Sequence, residues 1–97
     1  MASSYDLEKL VSRLREVFSR VLHERQNGYY MVLALKNSRG YIICLQIKRD
    51  YVYAKVNSVE ETLFWNCLYS IEDPRGYYVF SRDMDSFIEK LLSRIKV

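Results

Sequence analysis

The chain has 97 residues, 49% of them apolar, and a net charge of +3. That length suits one compact domain over residues 1–97 and is too short for two; the apolar content is that of a folded protein and excludes intrinsic disorder. No apolar run is long enough to span a bilayer, and the N-terminus lacks the apolar core of a signal peptide, so no membrane partner is expected.

After a frayed lead at 1–4, Ser3 or Ser4 can cap a helix, with Asp6 and Glu8 favourable in its first turn. Leu7, Leu10, Val11, Leu14, Val17, Phe18, Val21 and Leu22 then recur at three- and four-residue spacing. That spacing predicts an amphipathic helix, ended by Asn27-Gly28 because glycine accepts left-handed geometry without steric cost. The stripe is expected to pack on the sheet that follows, although a coiled-coil seam has the same pattern.

Gly28 to Val56 reads as a three-stranded antiparallel meander. Arg49-Asp50 is a two-residue turn, which sets Lys48 opposite Tyr51 and Gln46 opposite Tyr53. Alternation then sorts the strands. Ile43, Leu45, Ile47, Val52, Ala54 and Val56 form a core face; Cys44, Gln46, Lys48, Tyr51, Tyr53 and Lys55 form an open one. The loop at Asn37-Ser38-Arg39-Gly40 decides the first strand. If three residues close it, Tyr30, Val32, Ala34 and Lys36 join the open face; if four do, Tyr29, Met31, Leu33 and Leu35 join it instead. The first option is preferred, since Met31, Leu33 and Leu35 suit a core. The second would create an apolar patch and imply a dimer interface.

Ser58-Val-Glu-Glu61 is a capping box, and Val59, Leu63, Cys67 and Ile71 fall four apart, so 59–71 is expected to be a helix. Its aromatic residues would also suit a strand. Asp73-Pro74-Arg75-Gly76 closes the segment. Tyr77 to Ser81 is a short strand apolar on both faces. Ser81 or Asp83 then caps a last helix with the stripe Met84, Phe87, Ile88, Leu91, Leu92 and Ile95. The expected class is α+β: an antiparallel sheet of about four strands, a meander plus one later strand, in the order α-β-β-β-α-β-α, with helices packed on one face.

Little in the chain points to catalysis. Phosphate-binding glycine loops and nucleophile elbows are absent from the sequence. His23 is the only histidine and has no nucleophile near it in sequence. Glu60-Glu61 could work as an acid–base pair, but a helix start explains both. The chain therefore reads as a non-enzyme without a cofactor. Cys44 and Cys67 are the only cysteines and, with one histidine, cannot make a zinc site of ordinary ligand count. They read as buried thiols, and with no sequence support for a disulfide the chain reads as intracellular and cytoplasmic.

The residual signal is aromatic and basic. Nine tyrosines is high for this length, and several flank cations. Tyrosine also suits strands and cross-strand pairs for purely structural reasons. Unpaired bases stack on aromatic faces while cations follow the phosphates, whereas a duplex would call for a basic helix. The reading is a small module for single-stranded DNA or RNA. Tyr30, Tyr51 and Tyr53 would stack bases; Lys36, Arg39, Lys48, Arg49 and Lys55 would contact phosphates. The competing reading is a homo-oligomeric scaffold protein whose open sheet face pairs with itself. In layout the chain resembles the archaeal ThermoDBP-related single-stranded nucleic-acid-binding family, whose small domain lays helices on one face of an antiparallel sheet. The resemblance implies bases stacked on sheet or cleft aromatics, with no family residue carried over by position.

Overall fold

A computed structural model describes residues 4–37, 39–62 and 64–95, with residues 4 and 5 described in their backbone only. Helix α1 (Ser4–Arg15) leads into strands β1 (Arg20–Gln26), β2 (Tyr29–Lys36), β3 (Arg39–Ile47) and β4 (Val52–Ser58). A 3₁₀ turn (Val59–Glu61) and a short helix α2 (Cys67–Glu72) follow, then β5 (Tyr77–Ser81) and α3 (Met84–Arg94). The five strands form one antiparallel sheet in the order β1-β2-β3-β4-β5. The class is α+β, with five strands where about four were expected.

The extra strand comes from the back half of the expected first helix. That helix ends after Arg15, and the amides of Val17 and Phe18 close its last turn on the carbonyl of Leu14. Arg20 to Gln26 then pairs with β2 along its whole length. Asn27 and Gly28 both have positive φ, 51° and 82°, and sit between the paired residues Gln26 and Tyr29. This is a two-residue hairpin turn, not a helix stop: Asn-Gly is the pair that most readily supplies two left-handed residues in sequence. The hairpin makes the mostly exposed β1 the edge and gives the largely buried β2 a partner on both sides. Val21 is buried under both readings, which is why helical spacing fitted it.

The β3–β4 hairpin has the expected register, with Gln46 opposite Tyr53 and the Lys48 amide donating to the Tyr51 carbonyl at 2.8 Å. The β2–β3 hairpin does not. Lys36 pairs with Arg39, so two residues close the loop, with Asn37 at φ 57°. An even loop length has the parity of the four-residue option. Val32 and Ala34 therefore lie on the core face with Ile43 and Leu45, and Met31 and Leu33 lie on the other face with Ile42 and Cys44.

Helices α1 and α3 cover the first face. Leu7, Leu10, Val11 and Leu14 meet Met84, Phe87, Ile88 and Leu91 over Val21, Val32, Ile43, Leu45, Val52, Val56 and Val79. Each such side chain contributes about 1.5–3 kcal/mol by leaving water. Asp83 caps α3, its carboxylate accepting from the Ser86 amide at 2.8 Å. The expected caps of α1, Ser3 or Ser4, have side chains outside the described part.

The second face is not bare. The expected helix over 59–71 splits in two: Ser58 caps the 3₁₀ turn and Asn66 caps α2, its side chain accepting from the Tyr69 amide at 2.8 Å. Leu63, the middle of the expected stripe, lies outside the described residues. The segment folds down on the sheet, where Cys67 joins Met31, Leu33, Ile42 and Cys44 in a second, smaller core flanked by Tyr29, Val59 and Ile71. Met31 and Leu33 are thus buried, as preferred from sequence, but on the second face, where the four-residue loop option would have made them an exposed patch. Cys44 and Cys67 form a disulfide, with Cα atoms 5.6 Å apart. Neither is a free thiol, which removes the premise of the intracellular reading. Among the described residues, no helix is long and apolar enough to cross a membrane.

Candidate functional site

Alternation along β4 and β5 puts Tyr53 opposite Phe80 and Lys55 opposite Tyr78 on the second face. Here four rings form a row. Tyr51 stacks on Tyr53 at 6.0 Å between centroids and on Phe80 at 5.4 Å, with planes 24° and 29° apart. Tyr53 meets Tyr78 at 6.5 Å and a tilt of 40°. Tyr78 and Phe80 are more than half exposed, while Tyr51 and Tyr53 are half-buried between their neighbours.

The row is held from below. The Tyr53 hydroxyl donates to Gln46 Oε1, and Gln46 Nε2 donates to the Gly28 carbonyl at 3.3 Å, so the Asn-Gly turn fixes the far side of the platform. Burial, and next the hydroxyl of Tyr29, push the Tyr53 pKa up to about 12. Tyr53 therefore stays neutral and anchored at ordinary pH.

Cations gather at one end of the row. Lys48 and Arg49 lie in the β3–β4 turn beside Tyr51, and Arg82 follows Ser81, the partner of Val52. The three line one shallow cleft on the helix side of that end, with Ile47, Val52 and Met84, Lys9 and the carboxylates Asp6, Asp83 and Asp85.

Of the residues expected from sequence, Lys48, Arg49, Tyr51 and Tyr53 come together. The other four do not. Lys55 is only 3% exposed: it reaches under α2 and donates to the carbonyls of Ser70 at 2.7 Å and Asp73 at 2.6 Å. Burial lowers its pKa, with the Asp73 charge a smaller, opposing influence. Tyr30 lies on the first face against the main core, with the Arg25 guanidinium 5.1 Å from its ring centre. Lys36 and Arg39 face each other at the β2–β3 end of the sheet. Nine residues of β3 separate that end from Lys48, roughly 25–30 Å at a strand's rise.

Tyr78, Phe80 and Arg82 were missed. A signal was present: a strand apolar on both faces has one face for the helices and needs another use for the second. The covering segment adds three exposed apolar side chains, Phe64, Trp65 and Leu68, with Phe64 edge-on to Tyr69 at 5.4 Å.

The candidate acids stand apart. Glu60 and Glu61 are exposed in the 3₁₀ turn, and His23 is exposed on edge strand β1 rather than late in a helix. Among the described residues, no three His, Cys, Asp or Glu side chains are grouped to hold a metal ion. Compared with protein-family models, with curated proteins and with solved structures, the chain has no significant match in any of the three.

Proposed function

We propose that the second face of the sheet binds single-stranded nucleic acid, with Tyr51, Tyr53, Tyr78 and Phe80 as the stacking platform and Lys48, Arg49 and Arg82 as phosphate contacts. The observation that carries this reading is the row of near-parallel rings beside a cationic turn. Unpaired bases gain about 1–3 kcal/mol each by stacking on such rings, whatever their sequence, and cations alongside take the backbone. The platform suits strands whose bases are free, because a duplex keeps its base faces inside. The likeness in layout to the ThermoDBP-related family, which lays helices on one face of an antiparallel sheet, implies stacking on sheet or cleft aromatics, although here α2 also covers part of the second face.

A fluorescence titration with a single-stranded oligonucleotide, run at several salt concentrations against a duplex control, tests it. Three phosphate contacts give a slope of log K on log salt of about −2. Replacing Tyr51 and Phe80 together by alanine weakens binding about tenfold or more, from the stacking energy of one base upward. No binding at low salt, or equal affinity for duplex, would sink the proposal.

A further inference from the structure

The segment that covers the second face is joined to the sheet but is not part of the main core. Its Cys67 packs with Met31, Leu33, Ile42 and Cys44, whereas Val32, Ile43, Leu45 and Val56 pack under α1 and α3 on the other face. Helix α2 is six residues long, and Phe64, Trp65 and Leu68 on the covering segment stay exposed. A layer that buries so little apolar surface of its own opens without the main core.

One covalent bond and a few polar contacts hold this layer down. Cys67 is bonded to Cys44 of β3. Lys55 Nζ donates to the carbonyls of Ser70 and Asp73, Asn57 Nδ2 donates to that of Arg75, and the Cys67 amide donates to Gln26 Oε1. The seam is imperfect: Asn57 Oδ1 and Ser70 Oγ are buried without a hydrogen-bond partner among the described residues. Their lost hydration weighs against closure, and the disulfide offsets it. Lys55 Nζ also lies 5.8 Å from the centre of the Tyr78 ring, so the group that fastens the cover sits against the ring row.

We infer that the covering segment is a redox-released lid on the binding face, locked by the Cys44–Cys67 bond and opened by a dithiol. What the lid regulates rests on the proposed function. Both cysteines are fully buried, so exchange runs through transient lifting of α2. A thiolate of the dithiol attacks one sulfur, the Cys44–Cys67 bond breaks, and a mixed disulfide forms. The second thiol of the dithiol then displaces the attached cysteine. Both cysteines end as thiols, having taken two electrons and two protons from the dithiol, which leaves as a disulfide. Without the bond the lid lifts and frees Lys55 beside Tyr78, adding a fourth phosphate contact to Lys48, Arg49 and Arg82. Lifting also uncovers Tyr29, next to the Tyr53 hydroxyl, which lengthens the ring row. With the bond in place, the site keeps four rings and three cations.

The full chain is compared disulfide-bonded and after reduction with dithiothreitol. Without nucleic acid, Trp65 reports on the lid directly, since it is the only tryptophan in the chain. Reduction is expected to lower its fluorescence anisotropy while the amides of β3 and β4 stay protected from exchange. An unchanged anisotropy overturns the lid. Loss of protection across the sheet overturns it too, because the disulfide is then a staple of the whole fold. With a dye-labelled single-stranded oligonucleotide, reduction is expected to steepen the slope of log K on log salt from about −2 to about −3. Affinity at roughly 0.1 M salt rises about fivefold, from one further phosphate contact. Lys55→Met is expected to hold the slope near −2 in the reduced chain and to change nothing in the bonded one. A Trp65 that loosens while affinity and slope stay the same, or while binding weakens, overturns the regulation. A steeper slope that survives Lys55→Met overturns Lys55 as its agent. If neither form binds at low salt, the nucleic-acid reading fails, and the lid stands or falls on Trp65 alone.

Discussion

Lys55 Nζ lies 2.6 Å from the carbonyl oxygen of Asp73 and donates to it, beneath a helix that strand alternation gives no sign of. The cation that sequence parity puts in the middle of the binding face is thus a fastener between the sheet and the segment that covers it. The carbonyl of Ser70 shares the same ammonium.

Lys55→Met keeps most of the volume and removes the donor from two buried carbonyls. We expect a loss of about 1–3 kcal/mol in denaturant unfolding, the cost of leaving such groups unmet. Oligonucleotide affinity and its salt slope are expected to stay unchanged, because this lysine does not reach the solvent side of the face. A reduced salt slope with unchanged stability would return Lys55 to the site.

The disulfide does the same work covalently. Its cysteines are 23 residues apart in sequence, for which loop closure gives a stabilisation of about 3 kcal/mol. Reduction by a dithiol is expected to lower the unfolding midpoint. Hydrogen exchange should speed up in α2 while β2, β3 and β4 stay protected, since the main core is on the other face. Uniformly faster exchange across the sheet would mean that the two cores unfold as one.

These fasteners explain which parts of the molecule could be read from sequence. Alternation along β3 and β4 was sufficient for the core face, because Ile43, Leu45, Val52 and Val56 report the same period independently. It was insufficient for Val17 to Gln26, where Val21 satisfies helical and strand spacing at once and the hairpin turn at Asn27-Gly28 decides. The site was half legible for a related reason. Parity tells which face a residue takes, so it found Tyr51 and Tyr53. It does not tell what later lies on that face, so it kept Lys55 in the site and left Cys44 on an open face, with no sign of the Cys67 that meets it there. Tyr30 was misplaced by one residue of loop length, which is all that a strand needs to change sides.

Two glycines separate backbone strain from crowding. Gly28 has φ of 82°, but a Cβ there would meet only Gln46 Nε2, 4.0 Å away. Gly28→Ala is therefore expected to cost about 1–2 kcal/mol, the ordinary left-handed penalty. Gly40 has no positive φ, yet a Cβ would come within 2.7 Å of the Ala34 carbonyl oxygen on the neighbouring strand. Gly40→Ala forces the strands apart and should cost more, up to about 3 kcal/mol. The reverse order in thermal unfolding would contradict the β2–β3 register.

Alkaline pH tests the anchoring of the ring row. Tyr53 titrates at about 12 in the folded chain, against an ordinary value of 10.0. A raised folded pKa means that the folded state holds the proton more tightly. The stabilisation is complete below pH 10 and is lost as pH rises from there through about 12. Burial also raises Tyr77, so two late components are expected in the phenolate absorbance. Tyr53→Phe should remove one of the two and flatten the alkaline loss of stability. A wild-type titration with all tyrosines near their ordinary value would show that Tyr53 is not held as described.

The most direct test of the binding face is to follow backbone amide resonances while a single-stranded oligonucleotide is added. The account predicts shifts concentrated at 48–53 and 78–82, with Tyr30 and 36–40 unmoved. Shifts centred on the Lys36–Arg39 hairpin or on Tyr30, or none in the ring row at saturation, would contradict it.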